Sequence, residues 1–275
     1  MGLRDRGVEL KTPEQIELMR SAGLVVGETL DLVRSSVQPG MTTGDLDQLA
    51  EVFIRDQGAV PSFKGYHGFP GSLCLSVNDE VVHGIPGARV LLDGDVLSVD
   101  CGAIVQGWHG DAAVTVGVGE ISPDAARLLE VCEASLWAGF AAARLGGRVT
   151  DISHAIEDYV RSQGPYGVLE DYVGHGIGSS MHMPPNVPNH GAAGKGPRLV
   201  KGLALAVEPM ITATGTIDTE VLEDDWTVVT EDGSLAAHFE HTVTLTDGGT
   251  WVLTALDGGR ARLAELGVRY GGPAA

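Results

Sequence analysis

Residues 95–116, DVLSVDCGAIVQGWHGDAAVTV, decide the fold of this chain. They predict two apolar strands that meet at a tight turn, with Asp100 in the first strand and Asp111 in the second. A turn centred on Val105-Gln106 would pair the two aspartates directly, whereas one centred on Gln106-Gly107 would make them diagonal neighbours. In both registers the carboxylates lie on one face of the hairpin, because side chains alternate along a strand.

Two carboxylates this close together in apolar surroundings are a candidate metal site. Cross-strand neighbours are roughly 5 Å apart and diagonal ones roughly 7–8 Å apart, so the two charges would repel and raise a pKa. A cation between them removes the repulsion. The alternative is that both aspartates are solvated on an edge hairpin, which the hairpin alone does not exclude.

The composition is that of a globular protein with a large core. The 275 residues are 43% hydrophobic and carry a formal net charge of −19, which argues against a general affinity for nucleic acid or anionic membranes. No apolar run is long enough to span a bilayer, and the first ten residues do not resemble a secretory signal. Three widely spaced cysteines suit neither a disulfide framework nor a zinc site of the cysteine type, so we expect a cytoplasmic protein.

Helix signals occur in two pairs. Thr12-Pro13 with Gln15 predicts an N-cap and capping box, followed by a helix that ends before Pro39-Gly40. The sequence predicts further helices from Thr42 or Thr43 to Gly58, from Ser122 to about Leu145, and from Thr150 to Gly164. Strands are expected at 73–77, around Val173, and at 203–207, 211–214 and 241–245, with a hairpin near 217–230.

The second half of the chain repeats the first. At a constant offset of 106, six residues in or just before the second and fourth predicted helices are identical: Gly40/Gly146, Asp45/Asp151, Glu51/Glu157, Arg55/Arg161, Gln57/Gln163 and Gly58/Gly164. At an offset of 108 Asp100 lies over Glu208, and at an offset of 129 Asp111 lies over Glu240. A duplicated helix–helix–strand unit would bring these four carboxylates to one pseudo-symmetric centre.

Histidines complete the candidate site. His175 lies in the glycine-rich stretch Val173–Gly178, His182 follows seven residues later, and His83 lies in a His-Gly-Ile stretch of the first half. Singly, each is more typical of a structural loop histidine than of a ligand. Together with four strand-borne acids they predict two metal ions held by mostly oxygen ligands and one imidazole, which suits Mn, Fe(II) or Co, with Zn as a further candidate. Such a pair of ions is typical of hydrolytic enzymes.

The motifs resemble those of a known family. Val99-Asp100, His109-Gly110-Asp111, Gly174–Gly178, Val207–Met210 and Phe239–Thr242 make the chain similar to type I methionine aminopeptidases of the short bacterial form, from about Leu10 to Leu253. The resemblance implies an α+β pita-bread fold, in which a pseudo-two-fold duplicated α-β unit surrounds a central antiparallel sheet. It implies one catalytic domain spanning 1–275, with a core of about 10–253 and repeats at about 12–118 and 122–253.

The resemblance also implies roles for individual residues. The implied metal ligands are Asp100, Asp111, His175, Glu208 and Glu240, with Asp111 and Glu240 bridging two divalent ions. Glu208 would also carry protons, and His83 and His182 would hold the scissile peptide and stabilise the tetrahedral intermediate. The implied pocket for the methionine side chain comprises Tyr66, Phe69, Cys74 and Trp226. From the residues alone, Phe69 and Trp226 are more typical of core packing. Phe63, Phe69 and the stretch Ser179-Ser180-Met181 depart from the commoner pattern at the pocket.

The implied activity is metal-dependent removal of the N-terminal methionine from nascent proteins whose second residue is small. The resemblance implies a monomer that acts near the ribosome. However, residues 217–234 carry seven acidic side chains and no Lys or Arg, which predicts at most weak association with ribosomes. Two alternatives remain open. One is a prolidase or aminopeptidase P, which usually has an additional N-terminal domain, and the other is a binding module of the same fold that has lost its metals.

Overall fold

The polypeptide passes through a helix pair and a set of strands, and then does so a second time. A computed structural model describes residues 7–273. The helices are α1 (Pro13–Ser36), α2 (Thr43–Asp56), α3 (Pro123–Ala142), α4 (Val149–Gln163) and the short α5 (Arg260–Glu265). The first four were predicted, with ends that differ from the observed ones by at most three residues. Helix α5 was not predicted.

The capping signals read from the sequence are present. The Thr12 side chain accepts a hydrogen bond from the Gln15 backbone N–H, and the Gln15 side chain accepts one from the Thr12 N–H at 2.8 Å, which closes the predicted capping box. The two halves also share an ion pair. In α2 Arg55 pairs with Glu51 at 2.8 Å, and in α4 the equivalent residues Arg161 and Glu157 pair at 2.7 Å. Such surface pairs stabilise little, so they are mainly a mark of the duplication.

Within residues 7–273, fifteen strands complete the fold. They are β1 (Val60–Pro61), β2 (Leu73–Val77), β3 (Glu80–Val82), β4 (Val96–Val105), β5 (Trp108–Gly117), β6 (Gly167–Val168), β7 (Gly174–Gly176), β8 (Met183–Val187), β9 (Ala204–Val207), β10 (Met210–Thr212), β11 (Thr219–Val221), β12 (Val228–Thr230), β13 (Ala236–His238), β14 (Glu240–Leu245) and β15 (Thr250–Val252). Nine of them form the main sheet, in the order β1-β4-β5-β14-β9-β7-β8, with β2 beside β4 and β15 beside β14. Two three-stranded sheets, β13-β10-β6 and β11-β12-β3, share no strand ladder with the main sheet.

The β4–β5 hairpin, in residues 95–116, has the second of the two registers described above, with its turn at Gln106-Gly107. Val105 pairs with Trp108, so the turn is Gln106-Gly107, and Asp100 lies opposite Ala113. Gln106 and Gly107 have φ angles of 49° and 83°. Positive φ at both central residues is typical of a type I′ turn, whose twist matches that of the flanking strands.

Each half buries its own helix pair against the main sheet. One hydrophobic cluster joins α1 and α2 to β2, β4 and β5, and a larger one joins α3 and α4 to β9 and β14. Helix α1 packs so closely on β5 that a Cβ atom on Gly110 would lie 2.7 Å from the backbone nitrogen of Gly23. Among residues 7–273, the helices include none that is long and apolar enough to cross a membrane.

Candidate metal centre and substrate pocket

Three of the predicted ligands lie on neighbouring strands of the main sheet. Asp100 of β4 and Glu240 of β14 both lie opposite Ala113 of β5, one on each side of it. Asp111 precedes Ala113 by two residues and therefore projects from the same face of β5. The three carboxylates converge there, and the small side chain of Ala113 leaves room between them.

The other two predicted ligands reach this face from the second half. His175 of β7 lies opposite Ala206 of β9, and Glu208 follows Ala206 by two residues, so the two side chains share a face. Nε2 of His175 is 3.5 Å from Oε1 of Glu208 and 3.8 Å from Oδ2 of Asp111. The structure therefore brings all five side chains together; their roles as ligands stay a prediction.

Burial makes the ionised form of these acids costly. It raises the pKa of Asp100 to about 7. It raises the pKa of Asp111, Glu208 and Glu240 well above the ordinary carboxyl range, and the neighbouring carboxylates raise these pKa values further. In contrast, burial lowers the pKa of His175 to about 4, so its imidazole is neutral at pH 7 and able to ligate. A cation that binds here displaces protons from the acids.

Several buried atoms of the centre have no hydrogen-bond partner within the described part of the chain. They include Oδ1 of Asp100, Oδ1 of Asp111 and Oε1 of Glu240. Leaving such oxygens unpaired costs free energy, whereas carboxylate oxygens combined with a neutral imidazole suit divalent transition metals. The residues present therefore fit a divalent metal site.

The raised carboxyl pKa values predict how the metal-free protein responds to pH. Its free energy of unfolding should fall as the pH is raised from about 6.5, because the folded acids still hold protons there that the unfolded chain has already lost. Each proton contributes at most about 1.4 kcal/mol per pH unit. The buried histidines, whose pKa values are lowered to about 4, act in the opposite direction, but only below their unfolded pKa of about 6.5.

Thermal or urea unfolding of chelator-treated protein from about pH 6.5 upwards measures the effect. Metal-loaded protein is the control, and its stability should change less because the acids stay ionised. If the free energy of unfolding of the metal-free protein instead rose from pH 6.5 to 8.5, the raised pKa values of the buried carboxyl groups would be contradicted.

An apolar pocket opens beside the carboxylates, and the two share one cavity of about 430 Å³. Its buried wall and the side chains packed against it are Phe63, Phe69, Cys74, Met181, Tyr66, Ile85 and Trp226. The rings of Phe69 and Trp226 meet edge to face, with centroids 5.1 Å apart. The four side chains that the sequence predicted for the pocket all line this cavity. Ring pairs of this kind give an apolar wall a defined shape.

His83 and His182 flank the same cavity. His83 follows β3 with a φ of 61°, a conformation uncommon outside glycine, and burial lowers its pKa to about 4. Nδ1 of His182 is 2.9 Å from the Tyr66 hydroxyl. When that hydroxyl donates to Nδ1, the proton of the neutral imidazole is on Nε2, where it can be donated to a bound peptide. Tyr66 thus has a polar function in addition to its predicted place in the apolar wall.

Three residues at the centre were not singled out from the sequence. His67 and Val82 line the cavity. His238, at the end of β13, is 1% exposed and lies with Glu208 and Glu240 in a group whose ligand atoms are within 4.8 Å of one another. A signal for His238 was available, because it precedes Glu240 by two residues and extended chain places such residues on one face.

Sequence relatives define the class of protein to which this fold and centre belong. The sequence profile of metallopeptidase family M24 matches residues 17–247. The chain is 55% identical to a methionine aminopeptidase of Clostridium acetobutylicum over 89% of its own length and 98% of that protein. It is 51% identical to methionine aminopeptidase 1 of Bacillus subtilis, with coverage of 89% and 98%. The chain belongs to metallopeptidase family M24 and, within it, to the methionine aminopeptidases.

Solved structures agree with this assignment. The crystal structure of a methionine aminopeptidase from Thermotoga maritima matches with a TM-score of 0.88 and 43% identity, over 90% of this chain and 99% of that one. A prolidase from Pyrococcus furiosus matches with a TM-score of 0.73 and 18% identity, over 92% of this chain but 66% of that one, which shows a shared fold. The predicted pita-bread fold and the predicted family are confirmed. The prolidase and metal-free alternatives are disfavoured, since the near relatives are methionine aminopeptidases. As a metallopeptidase, the chain is a hydrolase that uses divalent metal.

Proposed function

We propose that this protein uses two divalent metal ions to remove the N-terminal methionine from nascent proteins whose second residue is small. One observation of the structure carries the proposal: a buried group of acids and an imidazole opens directly onto an apolar pocket within a single cavity. An acidic centre alone would suit many hydrolases. The adjoining pocket, built from aromatic side chains, Cys74 and Met181, is complementary to an unbranched thioether.

The ions would be held by Asp100, Asp111, His175, Glu208 and Glu240, with Asp111 and Glu240 shared between them. When bound, such ions would supply Lewis-acid chemistry, lowering the pKa of a water molecule and polarising the peptide carbonyl. The predominance of oxygen ligands favours Mn, Fe(II) or Co, with Zn as a further candidate.

The side chains around the ions would transfer protons, hold the peptide and bind the methionine side chain. Glu208, buried beside the cavity, takes the proton of the attacking water and delivers it to the leaving amine. His83 and His182 hold the scissile peptide, and Nε2–H of His182 stabilises the negative charge that develops on the carbonyl oxygen. The wall around Phe69 and Trp226 takes the methionine side chain and excludes water from it. We further propose that the metals and this wall act within one catalytic domain, with repeats at about 12–118 and 122–253.

The specificity of the pocket is tested with short peptides after reconstitution with Mn, Fe(II), Co or Zn. We expect Met-Ala-Ser to be cleaved. Leu-Ala-Ser and Lys-Ala-Ser should be cleaved at least about 10²-fold more slowly, because the branched Leu side chain does not fit the pocket and the buried charge of Lys lacks a partner there. Met-Lys-Ser should also be poor, because the second residue must be small. Comparable kcat/KM values for all four peptides would indicate a general aminopeptidase.

We propose a cytoplasmic monomer as the working form. The three cysteines are free and buried, which suits a reducing compartment. Nascent chains reach the enzyme at the ribosome, but the acidic side chains of residues 217–234 are all exposed and would repel ribosomal RNA. We therefore expect weak association with ribosomes. Co-sedimentation at low and high salt tests this, and tight binding at low salt that is lost when the β11–β12 hairpin is mutated would contradict it.

A further inference from the structure

His238 has a side chain that the proposed mechanism does not use. Its backbone N–H donates to the Thr115 hydroxyl at 2.9 Å, and its carbonyl accepts from the same hydroxyl at 2.7 Å, which fixes the end of β13 in the protein interior. The imidazole is 1% exposed. Its Nε2 has no hydrogen-bond partner among residues 7–273. A buried ring nitrogen without a partner costs free energy, so a ligand bound to this nitrogen would stabilise the protein.

The nearest polar groups are two carboxylates of the metal centre. Nε2 of His238 is 3.8 Å from Oε2 of Glu208 and 3.9 Å from Oε2 of Glu240. A hydrogen bond to either oxygen would require a separation of about 3 Å. Two atoms that bind one transition-metal ion at about 2.1 Å each can be up to about 4.2 Å apart. The observed distances therefore suit a shared ion better than a direct hydrogen bond.

The distances from His175 to its neighbouring carboxylates resemble those from His238. Nε2 of His175 lies 3.5 Å from Glu208 and 3.8 Å from Asp111, nearly the same spacing as that of His238. His175 faces Oε1 of Glu208 and His238 faces Oε2, so Glu208 lies between two imidazoles, one at each oxygen. Both rings present Nε2 to two carboxylates of different residues.

We propose that His238 is a sixth ligand of the metal centre, binding through Nε2 a divalent ion that Glu208 and Glu240 also bind. The centre then has two imidazoles, His175 and His238, on opposite sides of Glu208. Imidazole adds more to the affinity for Co²⁺ or Zn²⁺ than for Mn²⁺. His238 therefore shifts the metal preference of the centre towards the later metals. This inference rests on the proposed two-metal function.

Metal titration of chelator-treated protein tests the proposal without relying on turnover. Wild type should bind two Co²⁺ ions by isothermal titration calorimetry. In His238→Ala we expect at least one of these affinities to fall by about tenfold or more, and the fall to be smaller for Mn²⁺. His154→Ala is the matched control, since it removes an exposed imidazole on α4 and should leave both affinities unchanged.

A proton NMR spectrum of the Co²⁺-loaded protein provides a second readout, in which the wild type alone is already informative because a single shifted signal there would contradict the proposal. Each histidine bound through Nε2 has an exchangeable Nδ1–H that the paramagnetic ion shifts strongly. Wild type should show two such signals, and His238→Gln should show one. Two signals in His238→Gln, or unchanged Co²⁺ affinities in His238→Ala, would overturn the proposal and leave His238 at most a hydrogen-bond donor to Glu208. Failure of the two-metal function itself would appear separately, as wild type that binds fewer than two ions.

Discussion

Asp111→Asn should abolish the aminopeptidase activity and remove at least one metal ion, because Asp111 is proposed to bridge both. The amide lacks the charge that holds two cations close together. Loss of the metal contribution, several kcal/mol of transition-state stabilisation, corresponds to a fall in kcat/KM of roughly 10³-fold or more. Glu240→Gln should behave in the same way. Metal content after dialysis, together with turnover of Met-Ala-Ser, measures both effects.

The same substitution should not unfold the protein. Oδ1 of Asp111 has no hydrogen-bond partner within residues 7–273, and its burial among other acids is unfavourable. Replacing a buried acid whose ionised form is not compensated should therefore leave the metal-free protein at least as stable as wild type. Glu220→Gln, in the exposed hairpin, is the control and should change neither metal content nor turnover. Full activity in chelator-stripped Asp111→Asn would refute the two-metal centre.

His182→Ala should lower kcat by about 10²–10³-fold while both metals remain bound, because His182 is proposed to contact the peptide and not the ions. His175→Ala should instead weaken metal binding, since Nε2 of His175 faces Glu208 and Asp111. Steady-state kinetics with metal analysis separates the two outcomes. Metal loss in His182→Ala together with metal retention in His175→Ala would mean that the two roles are reversed.

Tyr66→Phe should have a smaller effect of the same kind as His182→Ala. It keeps the aromatic wall of the pocket and removes only the hydroxyl that lies 2.9 Å from Nδ1 of His182. One such hydrogen bond contributes about 0.5–1.5 kcal/mol. We therefore expect a fall in kcat of roughly two- to tenfold, with KM and metal content near wild type.

The sequence predicted the elements that carry the five proposed ligands because they combine strong patterns. Long helices have caps and apolar stripes, and β4 and β5 are apolar runs joined by Gln106-Gly107. The alternation of side chains could not choose between the two registers of this hairpin, since both keep Asp100 and Asp111 on one face. The choice follows from the turn itself, where the positive φ of the second central residue favours glycine.

The missed elements are short or contain residues that weaken the pattern. Strand β8 includes Pro184 and Pro185, which cannot donate ladder hydrogen bonds, and it lies at an edge of the main sheet, where this is tolerated. Strands β3, β13 and β15 have three residues each, too few for a period of two to stand out. Missing β13 concealed His238, because the alternation that links it to Glu240 is visible only once the chain there is known to be extended.

The duplicated unit also suggests how such an enzyme can originate. Two copies of a half-chain that associated about a two-fold axis would place equivalent acids, Asp100 with Glu208 and Asp111 with Glu240, around one point, so a cation site would arise from self-association alone. Fusion of the copies then frees each half to diverge. His175, His182 and His238 belong to the second half and His83 to the first. This divergence makes the centre asymmetric: the acids come from both halves, whereas each imidazole proposed to bind metal comes from the second.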